Sequence, residues 1–467
     1  MIKLFSRSAC WFAYAVSLVA VEPTAAQTAL PLPKETPTPK TTLTPLPSVP
    51  QRVNTKDGND VQTYDLDILT QMMLQSDPRL AQAALAVQVA AGRAVQAGLY
   101  PNPVAGFSAD ELFDRTGPGG ILTPSITQEI VTGNKLGLAQ SAAERERQKA
   151  ELEVQSVRFR RTGAVRSAYY DLLALQRRLE MLGELTRLAD ESLQSGERLL
   201  KAGQNSRLDV VQLEVEKERY VAEREAVNRE LPAAFRRLAA AVGVPDLPMR
   251  PLAGRLDTEL PSYILDTART FIAANHPEVL AAKKGVERAQ YLLDRARVEP
   301  KPNITLMAGY TYQGQNRSND MSVGVSLPVP IWNRNQGNIA VAQAELGDAI
   351  QHVGRAQTEL TDQLGEAFAA YASAKRRAEL YRERLLPRAR EGFELSLKGY
   401  KANQFDYLRV LEAQRALAQA DLETIRSLGD AWKAAANLSA LLLEENWPLK
   451  PSTNTPGPRI EIIRPAP

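Results

Sequence analysis

The sequence predicts an α+β fold that joins four β-strands to unusually long α-helices. Three observations indicate this fold class. Two pairs of short segments alternate apolar and polar residues, residues 138–202 contain no proline and are typical of one helix, and the same order of elements occurs twice. The length of 467 residues is sufficient for several folded units, and the formal net charge of +3 gives no indication of nucleic-acid binding.

The first 26 residues have the pattern of a secretory signal peptide. Lys3 and Arg7 supply a positive n-region, the apolar stretch runs from Ala9 to Val21, and the small residues 24–26 form an acceptable cleavage site. An uncleaved anchor is the alternative, but the stretch is short for a spanning helix. Cys10 lies at the start of the stretch and not after it, so we expect no lipid there. Without this single cysteine, the processed chain would have no disulfides and no thiolate metal sites.

Two proline-rich segments flank the rest of the chain. Residues 27–60 are a Pro/Thr-rich linker and residues 448–467 a Pro-rich tail, and both compositions favour disordered, extended chain. After the signal peptide, no segment has the nearly twenty apolar residues of a spanning helix. If this protein enters a membrane, we therefore expect it to do so through strands.

An internal duplication with a period of about 200 residues divides the remainder into residues 61–250 and 251–447. Each repeat is expected to contain a helix, two strands, a long helix, a tight break that we call a tip, and a shorter helix. The matching positions include Tyr64, Asp67, Pro78, Pro103, Arg177, Lys201 and Leu208 in the first repeat, and Tyr263, Asp266, Pro277, Pro302, Arg376, Lys401 and Leu408 in the second.

The four strands are expected near residues 103–112, 119–130, 303–313 and 319–329. In the third of these, Leu306, Ala308 and Tyr310 alternate with small or polar residues, and Val323 and Val325 do so in the fourth. The alternation fits a barrel wall with lipid on one side and water on the other. A soluble hairpin with one buried face would fit the strands alone about as well.

The long helices are expected over residues 138–202 and 338–400, and each tip is followed by a helix, over 207–242 and 406–443. A helix of roughly 65 residues is about 100 Å long, which is too long to wrap one compact core. Pro387 is expected to kink the second long helix.

Several motifs, in order and in both repeats, resemble the TolC family of outer-membrane efflux channels. Residues 77–80 (Asp-Pro-Arg-Leu) and 276–279 (His-Pro-Glu-Val) are similar to the Asn-Pro-x-Leu helix start of that family. Residues 385–400 are similar to its late long helix, and 406–415 to the helix that leaves its second tip. The resemblance covers nearly all of residues 60–447. Two further segments, 128–135 and 328–337, resemble the heavy-metal branch of the family.

The resemblance implies that this α+β fold is that of a membrane protein, a homotrimer in the cell outer membrane in contact with outer-membrane lipid. Four strands per chain would contribute to a trimeric twelve-stranded outer-membrane β-barrel, joined to a long periplasmic α-helical barrel. The channel would be a passive exit duct that a periplasmic adaptor (membrane fusion) protein connects to an inner-membrane pump of the RND type. The cargo would be heavy-metal cations, with drug efflux or type I secretion as alternatives. A periplasmic coiled-coil scaffold or adaptor is the alternative from another class, although it has no use for lipid-facing strands.

The resemblance also implies two sets of functional residues, one that docks the adaptor at the tips and one that closes the periplasmic gate. The docking residues would be Gly203, Gln204, Asn205, Ser206, Arg207, Leu208, Asp209, Asn403, Gln404, Phe405 and Asp406, and the gate residues Tyr400, Arg409 and Glu412. Arg409 stands where the family has an acidic residue, and we expect it to pair with Glu412 within or between subunits. The alternative is that these residues are only helix caps and a solvated ion pair.

No arrangement of residues typical of catalysis, metal binding or a cofactor is recognisable in the sequence. His276 precedes Pro277 in the manner of a helix cap, and His352 lies alone on a helix rich in Ala and Gln. We therefore expect no enzyme activity, no cofactor and no metal site.

Overall fold

The computed structural model of the chain describes residues 63–112, 120–203, 206–402, 404–405 and 407–448. All of them belong to one compact unit, Thr55–Pro467. The expected signal peptide (1–26), the linker (27–60) and all but the first residue of the expected tail (448–467) lie outside the described residues. Within the described ranges, no helix is long and apolar enough to cross a membrane.

The two repeats have the same order of elements. The first contains α1 (Leu66–Ser76), α2 (Pro78–Ala97), β1 (Val104–Asp110), β2 (Ile121–Ile130), α3 (Lys135–Lys201) and α4 (Arg207–Val242). The second contains α5 (Leu265–Asn275), α6 (Pro277–Val298), β3 (Ile304–Gln313), β4 (Ser318–Ser326), α7 (Gln336–Leu380), a π-helical turn (Tyr381–Leu385), α8 (Leu386–Lys401) and α9 (Tyr407–Leu441).

The helix expected over 338–400 changes its winding part of the way along, which the sequence-based expectation did not include. Helix α7 ends at Leu380, and the π-helical turn Tyr381–Leu385 separates it from α8. Pro387 is the second residue of α8 and has no N–H to donate to the preceding turn. A π turn, whose hydrogen bonds reach one residue further, accommodates such a missing donor without ending the helix.

The four strands form one antiparallel sheet in the order β1-β2-β3-β4. The strand register places side chains in rows that cross the sheet. One row contains Val323, Ala308, Ile126 and Ala105, and the next contains Ser322, Gly309, Ser125 and Gly106. Because adjacent rows point to opposite faces, the sheet has one apolar face and one face of small and polar residues.

The apolar face of the sheet is not covered by the rest of the described chain. Met321 is 82% exposed, Val323 77% and Val325 63%. A soluble hairpin would bury these side chains, since exposed apolar surface of this size is costly in water. The four-stranded sheet confirms the predicted strands, and the exposure of its apolar face is evidence against the soluble-hairpin alternative.

The principal core lies where helices of both repeats meet the chain that connects them. Trp432 of α9 is stacked on Tyr170 of α3 with 4.9 Å between the ring centroids, and its indole N–H donates to the Leu256 carbonyl at 2.9 Å. Tyr169 and Tyr371 donate their hydroxyl protons to the carbonyls of Ala253 and Pro261. Three aromatic side chains therefore hold the segment that connects the repeats, each by donating a hydrogen bond to one of its carbonyls.

The two repeats use different residues for the same helix cap. Asp77 accepts from the Arg79 N–H at 2.8 Å and forms an ion pair with Arg161 of α3 at 2.6 Å. At the equivalent place, the buried His276 accepts from the Glu278 N–H through its Nδ1 at 3.3 Å. Burial lowers the pKa of His276, the Glu278 carboxylate opposes this, and the Arg160 cation adds to the lowering. The cap in the second repeat therefore requires neutral histidine.

We predict that the cap at His276 is sensitive to acid. Since its folded-state pKa is lowered, the stabilisation is fully present above the unfolded-state pKa of about 6.5 and is lost as the pH falls towards the folded-state value. His276→Asn keeps a side-chain acceptor that does not titrate. Between neutral pH and pH ~5 it should retain about 1 kcal/mol more of its stability than the wild type does, which is the usual size of a cap.

Thermal unfolding in detergent, followed by circular dichroism, measures this difference. His352→Asn is the matched control, because His352 is exposed on α7 and caps no helix. Parallel pH profiles for the wild type and His276→Asn would show that the cap does not depend on protonation.

Candidate functional site

The first tip is a tight connection between α3 and α4. Gly203 follows the end of α3 with a φ of +69°, a left-handed conformation that glycine adopts without strain. Ser206 and Asp209 then form a capping box, in which each side chain accepts from the backbone N–H of the other. Leu208 is 65% exposed beside them, and Arg207 forms an ion pair with Glu214 at 3.3 Å. Gln204 and Asn205 lie outside the described residues.

The second tip connects α8 to α9 and is built around an aromatic side chain. The ring of Phe405 packs so closely on Gly399 that a Cβ at residue 399 would collide with it. The Gln404 N–H donates to the Gly399 carbonyl at 2.8 Å, which closes the end of α8. Asn403 and Asp406 lie outside the described residues. Glycine at 399 is therefore required by close contact with Phe405.

Arg409 is in contact with Phe405 and not with Glu412. Its guanidinium carbon lies 4.8 Å from the centroid of the Phe405 ring, a cation–π contact between residues four apart on the same tip. No ion pair between described residues of the chain joins Arg409 to Glu412, and both side chains are exposed. The expected pair is therefore not formed within the subunit, where the guanidinium lies against the ring of Phe405 instead.

Tyr400 lies at the rim of a groove between α3, α8 and α9. Its ring meets that of Tyr407 edge to face, with 5.7 Å between the centroids. Burial raises the pKa of Tyr407, and the charges of Tyr400 and Asp209 add to the effect, which indicates that the two tips are close together. The groove has a volume of about 570 Å³. Its lining includes Leu185, Leu188, Ser192, Gly196 and Leu199 of α3, Phe393, Leu397 and Tyr400 of α8, and Val410, Gln414, Leu417 and Asp421 of α9.

An ion pair joins the helices that leave the two tips. Arg415 of α9 contacts Glu216 of α4 through its Nε, at 2.7 Å from Oε2. The Glu216 side chain is only 7% exposed, and its other oxygen, Oε1, is buried and has no hydrogen-bond partner among the described residues. Burial raises the pKa of Tyr220, one turn along α4, and the adjacent Glu216 adds to this effect. In the part of the chain that the structure describes, Arg415 is the one cation paired with Glu216, so the position of α9 relative to α4 depends on this arginine.

Helical hairpins of this length, joined to a sheet with an uncovered apolar face, are the features of an outer-membrane channel subunit. A family model described as outer membrane efflux protein matches residues 69–244 and 271–442. The chain therefore belongs to this family, which is that of TolC, and it is a protein of the outer membrane.

Similar proteins include members of known role. The chain is 27% identical to the cobalt-zinc-cadmium resistance protein CzcC of Cupriavidus metallidurans, over 79% of this chain and 87% of that protein. It is 26% identical to the nickel-cobalt-cadmium resistance protein NccC of Alcaligenes xylosoxydans xylosoxydans, over 66% of this chain and 68% of that one. The crystal structure of CusC superposes with a TM-score of 0.69 at 18% identity, covering 84% of this chain and 96% of the other. This last similarity confirms the TolC-like fold.

Sequence reasoning located the tips and missed the contacts within them. The spacing of Phe405 and Arg409 allows a contact at i,i+4, and this signal was present in the sequence. The contact between Phe405 and Gly399 across the tip and the pairing of Arg415 with Glu216 join residues that no local pattern connects.

We predict that Arg415→Ala destabilises the chain by about 2 kcal/mol, because it leaves Glu216 as an uncompensated buried charge. This value is below the roughly 3–5 kcal/mol of a fully buried pair, since Arg415 itself is 35% exposed. The double variant Glu216→Gln/Arg415→Ala should be more stable than Arg415→Ala alone, because the charge is removed with its partner.

Urea unfolding in detergent would give these free energies. Arg355→Ala serves as the control, since it removes an exposed ion pair with Glu359 and should change stability by no more than about 0.5 kcal/mol. If the double variant were less stable than Arg415→Ala, Glu216 would not be the residue that requires the arginine.

Proposed function

We propose that this chain is the outer-membrane exit duct of a tripartite efflux system that exports divalent heavy-metal cations. The duct is a homotrimer and is passive, catalysing no reaction. A periplasmic adaptor protein connects it to an inner-membrane pump of the RND type, which supplies the energy. The observation that carries this proposal is the sheet with two unlike faces and open outer edges on β1 and β4.

The open edges support a trimer. In lipid, every backbone N–H and C=O needs a partner within the protein, so a four-stranded sheet with free edges is not stable there. Pairing β4 of one subunit with β1 of the next satisfies both edges. Two copies would give eight strands, whose interior is filled by side chains, whereas three copies give twelve and leave a lumen. The small and polar face would line that lumen.

The cargo class is supported by the relatives. CzcC and NccC are named for resistance to cobalt, zinc, cadmium and nickel, and the match to CzcC extends over most of both chains. Export of divalent cations through this duct would be the corresponding function. Drug efflux and type I secretion are the alternative functions, and the experiment described below distinguishes them from metal export.

The tips are the proposed adaptor-docking site. Gly203, Ser206, Arg207 and Leu208 of the first tip and Gln404 and Phe405 of the second are exposed. Asp209 of the first tip raises the pKa of Tyr407 at the start of α9, and Tyr407 also lines the groove beside Tyr400. The expected docking residues Gln204, Asn205, Asn403 and Asp406 are neighbours in sequence. A helical partner segment with apolar side chains on one face would fit this groove.

Among the described residues of its own subunit, no acidic side chain forms an ion pair with Arg409, so the gate is proposed to close between subunits. Tyr400, Arg409 and Glu412 lie within two turns of the second tip. Around a threefold axis, Arg409 of one subunit would meet Glu412 of the next and hold the constriction closed. Phe405 fixes the guanidinium in position for this contact.

The function can be tested in a Gram-negative cell that contains the cognate pump and adaptor. Deleting the gene of this chain should raise cell-associated cobalt, zinc and cadmium severalfold, and re-expression should restore the low level, as measured by elemental analysis. A variant with both tips replaced by short glycine loops is the control for docking. Unchanged metal content, with loss of drug resistance or of a secreted protein, would move the cargo to that other class.

We predict that Glu412→Lys raises the single-channel conductance in planar bilayers about twofold or more, because each subunit then contributes two like charges to the constriction. Glu366→Lys, an exposed acid-to-base change on α7 distant from the tips, should leave the conductance unchanged. The same conductance for Glu412→Lys, Arg409→Glu and the wild type would mean that the two residues are only a solvated helix face.

A further inference from the structure

A row of large apolar side chains continues beyond the end of the sheet. On β4, Met321, Val323 and Val325 belong to the apolar face, and Leu327 and Val329 follow at the same spacing of two residues. Leu327 is 51% exposed and Val329 70%, although neither lies in a strand. Ile331 and Trp332 then follow, 57% and 85% exposed. We call residues 327–332 the apolar extension.

The apolar extension cannot be a further part of the barrel wall. Its alternate positions are Pro328 and Pro330, and proline has no N–H to donate to a neighbouring strand. The Ile331 N–H donates to the Val329 carbonyl at 2.9 Å, two residues back, which makes a γ-turn at Pro330. The side-chain amide of Gln336, in the first turn of α7, donates to the Trp332 carbonyl at 3.2 Å. The chain thus leaves the sheet, turns and enters α7 with its apolar side chains exposed.

The first repeat makes the same strand-to-helix connection without such a segment. Residues 131–134 are enough to join β2 to α3, whereas residues 327–335 join β4 to α7. In the short connection, Thr132 is tied to the base of the sheet through its hydroxyl, which donates to the Pro302 carbonyl at 2.6 Å. The topology therefore does not require the additional residues of the second connection. Their apolar character needs another explanation.

The position of the extension matches the edge of a bilayer. From Met321 to Val329 an extended chain covers about 26 Å, or about 20 Å along the membrane normal at a strand tilt of about 40°. The apolar band of outer-membrane barrels is about 25 Å high. An apolar row of this length therefore spans most of such a band, and the turn at Pro330 follows it at the end of the sheet that leads into α7. Arg334, which is also exposed, lies two residues beyond Trp332.

We propose that the apolar extension is a membrane-interface anchor, which seats Trp332 among the lipid headgroups of the periplasmic leaflet. Its proposed partner is lipid, for two reasons. The extension continues the apolar face of the sheet, and its four large apolar side chains are exposed. The indole ring suits this place, since it has a large apolar surface and one polar N–H. The anchor fixes the depth of the sheet in the membrane, and it depends on neither the cargo nor the adaptor.

Tryptophan fluorescence of the full chain in phospholipid vesicles tests the anchor. The chain has three other tryptophans, Trp11, Trp432 and Trp447, and the difference between the wild type and Trp332→Phe separates the signal of Trp332 from theirs. Phenylalanine at this exposed position should not disturb folding. We expect lipids brominated near the headgroup to reduce the difference signal about twofold, and lipids brominated near the chain end to reduce it much less.

Two other results would overturn the proposal. Quenching by aqueous iodide with no effect of either brominated lipid would place Trp332 in water. Protection from iodide and from both lipids would place it against protein, as in a contact between subunits. The conductance of the same vesicles reports separately whether a channel has formed, so failure of the anchor is distinguishable from failure of the proposed duct.

Discussion

The rest of the structure depends on the alternation of side chains across the four-stranded sheet. A row that contains Val323, Ala308 and Ile126 is followed by a row of serine and glycine, and the register keeps this order over all four strands. A slip of one residue in any pair would move apolar side chains to the polar face. The register of the strands is therefore determined by the two environments of the sheet, lipid on one face and water on the other. The duplication provides two strands at a time, and after α3 and α4 the chain must return to the same sheet to add β3 and β4.

That return is made possible by a core in which two repeats share one connecting segment. Residues between α4 and α5 run past Trp432, Tyr169 and Tyr371, each of which donates a hydrogen bond to a backbone carbonyl of the segment. A buried cation lies beside them: Arg166 donates to the Ser439 hydroxyl at 3.0 Å and to the Glu445 carbonyl at 2.9 Å, and it stacks on Trp447. Burial lowers the pKa of Arg166, and nearby Glu444 partly opposes this. Donors aimed at carbonyls allow a loop to be buried without losing its hydrogen bonds.

Much of this architecture could be predicted from the sequence, because its strongest signals are local. Strand alternation, the absence of proline in residues 138–202 and the Asp-Pro and His-Pro starts are all patterns within one element. The contacts that give the tips their properties are of another kind. Arg415 meets Glu216 only because α4 and α9 are brought together in space, and Gly399 is required only because Phe405 returns to it. It could not be predicted either that Arg409 contacts Phe405 and not Glu412, because both residues lie within reach of its side chain.

The π turn between α7 and α8 has a consequence for the face that the second tip presents. A π turn contains one residue more than an α-helical turn, and each residue of a helix advances the side-chain direction by about 100°. Side chains of α8 therefore do not continue the faces of α7 but follow a new phase that begins after Leu385. This phase directs Phe393, Leu397 and Tyr400 into the groove against α3 and α9. The rotational setting of α8 at the second tip is thus determined about four turns away, by a local change in helical winding.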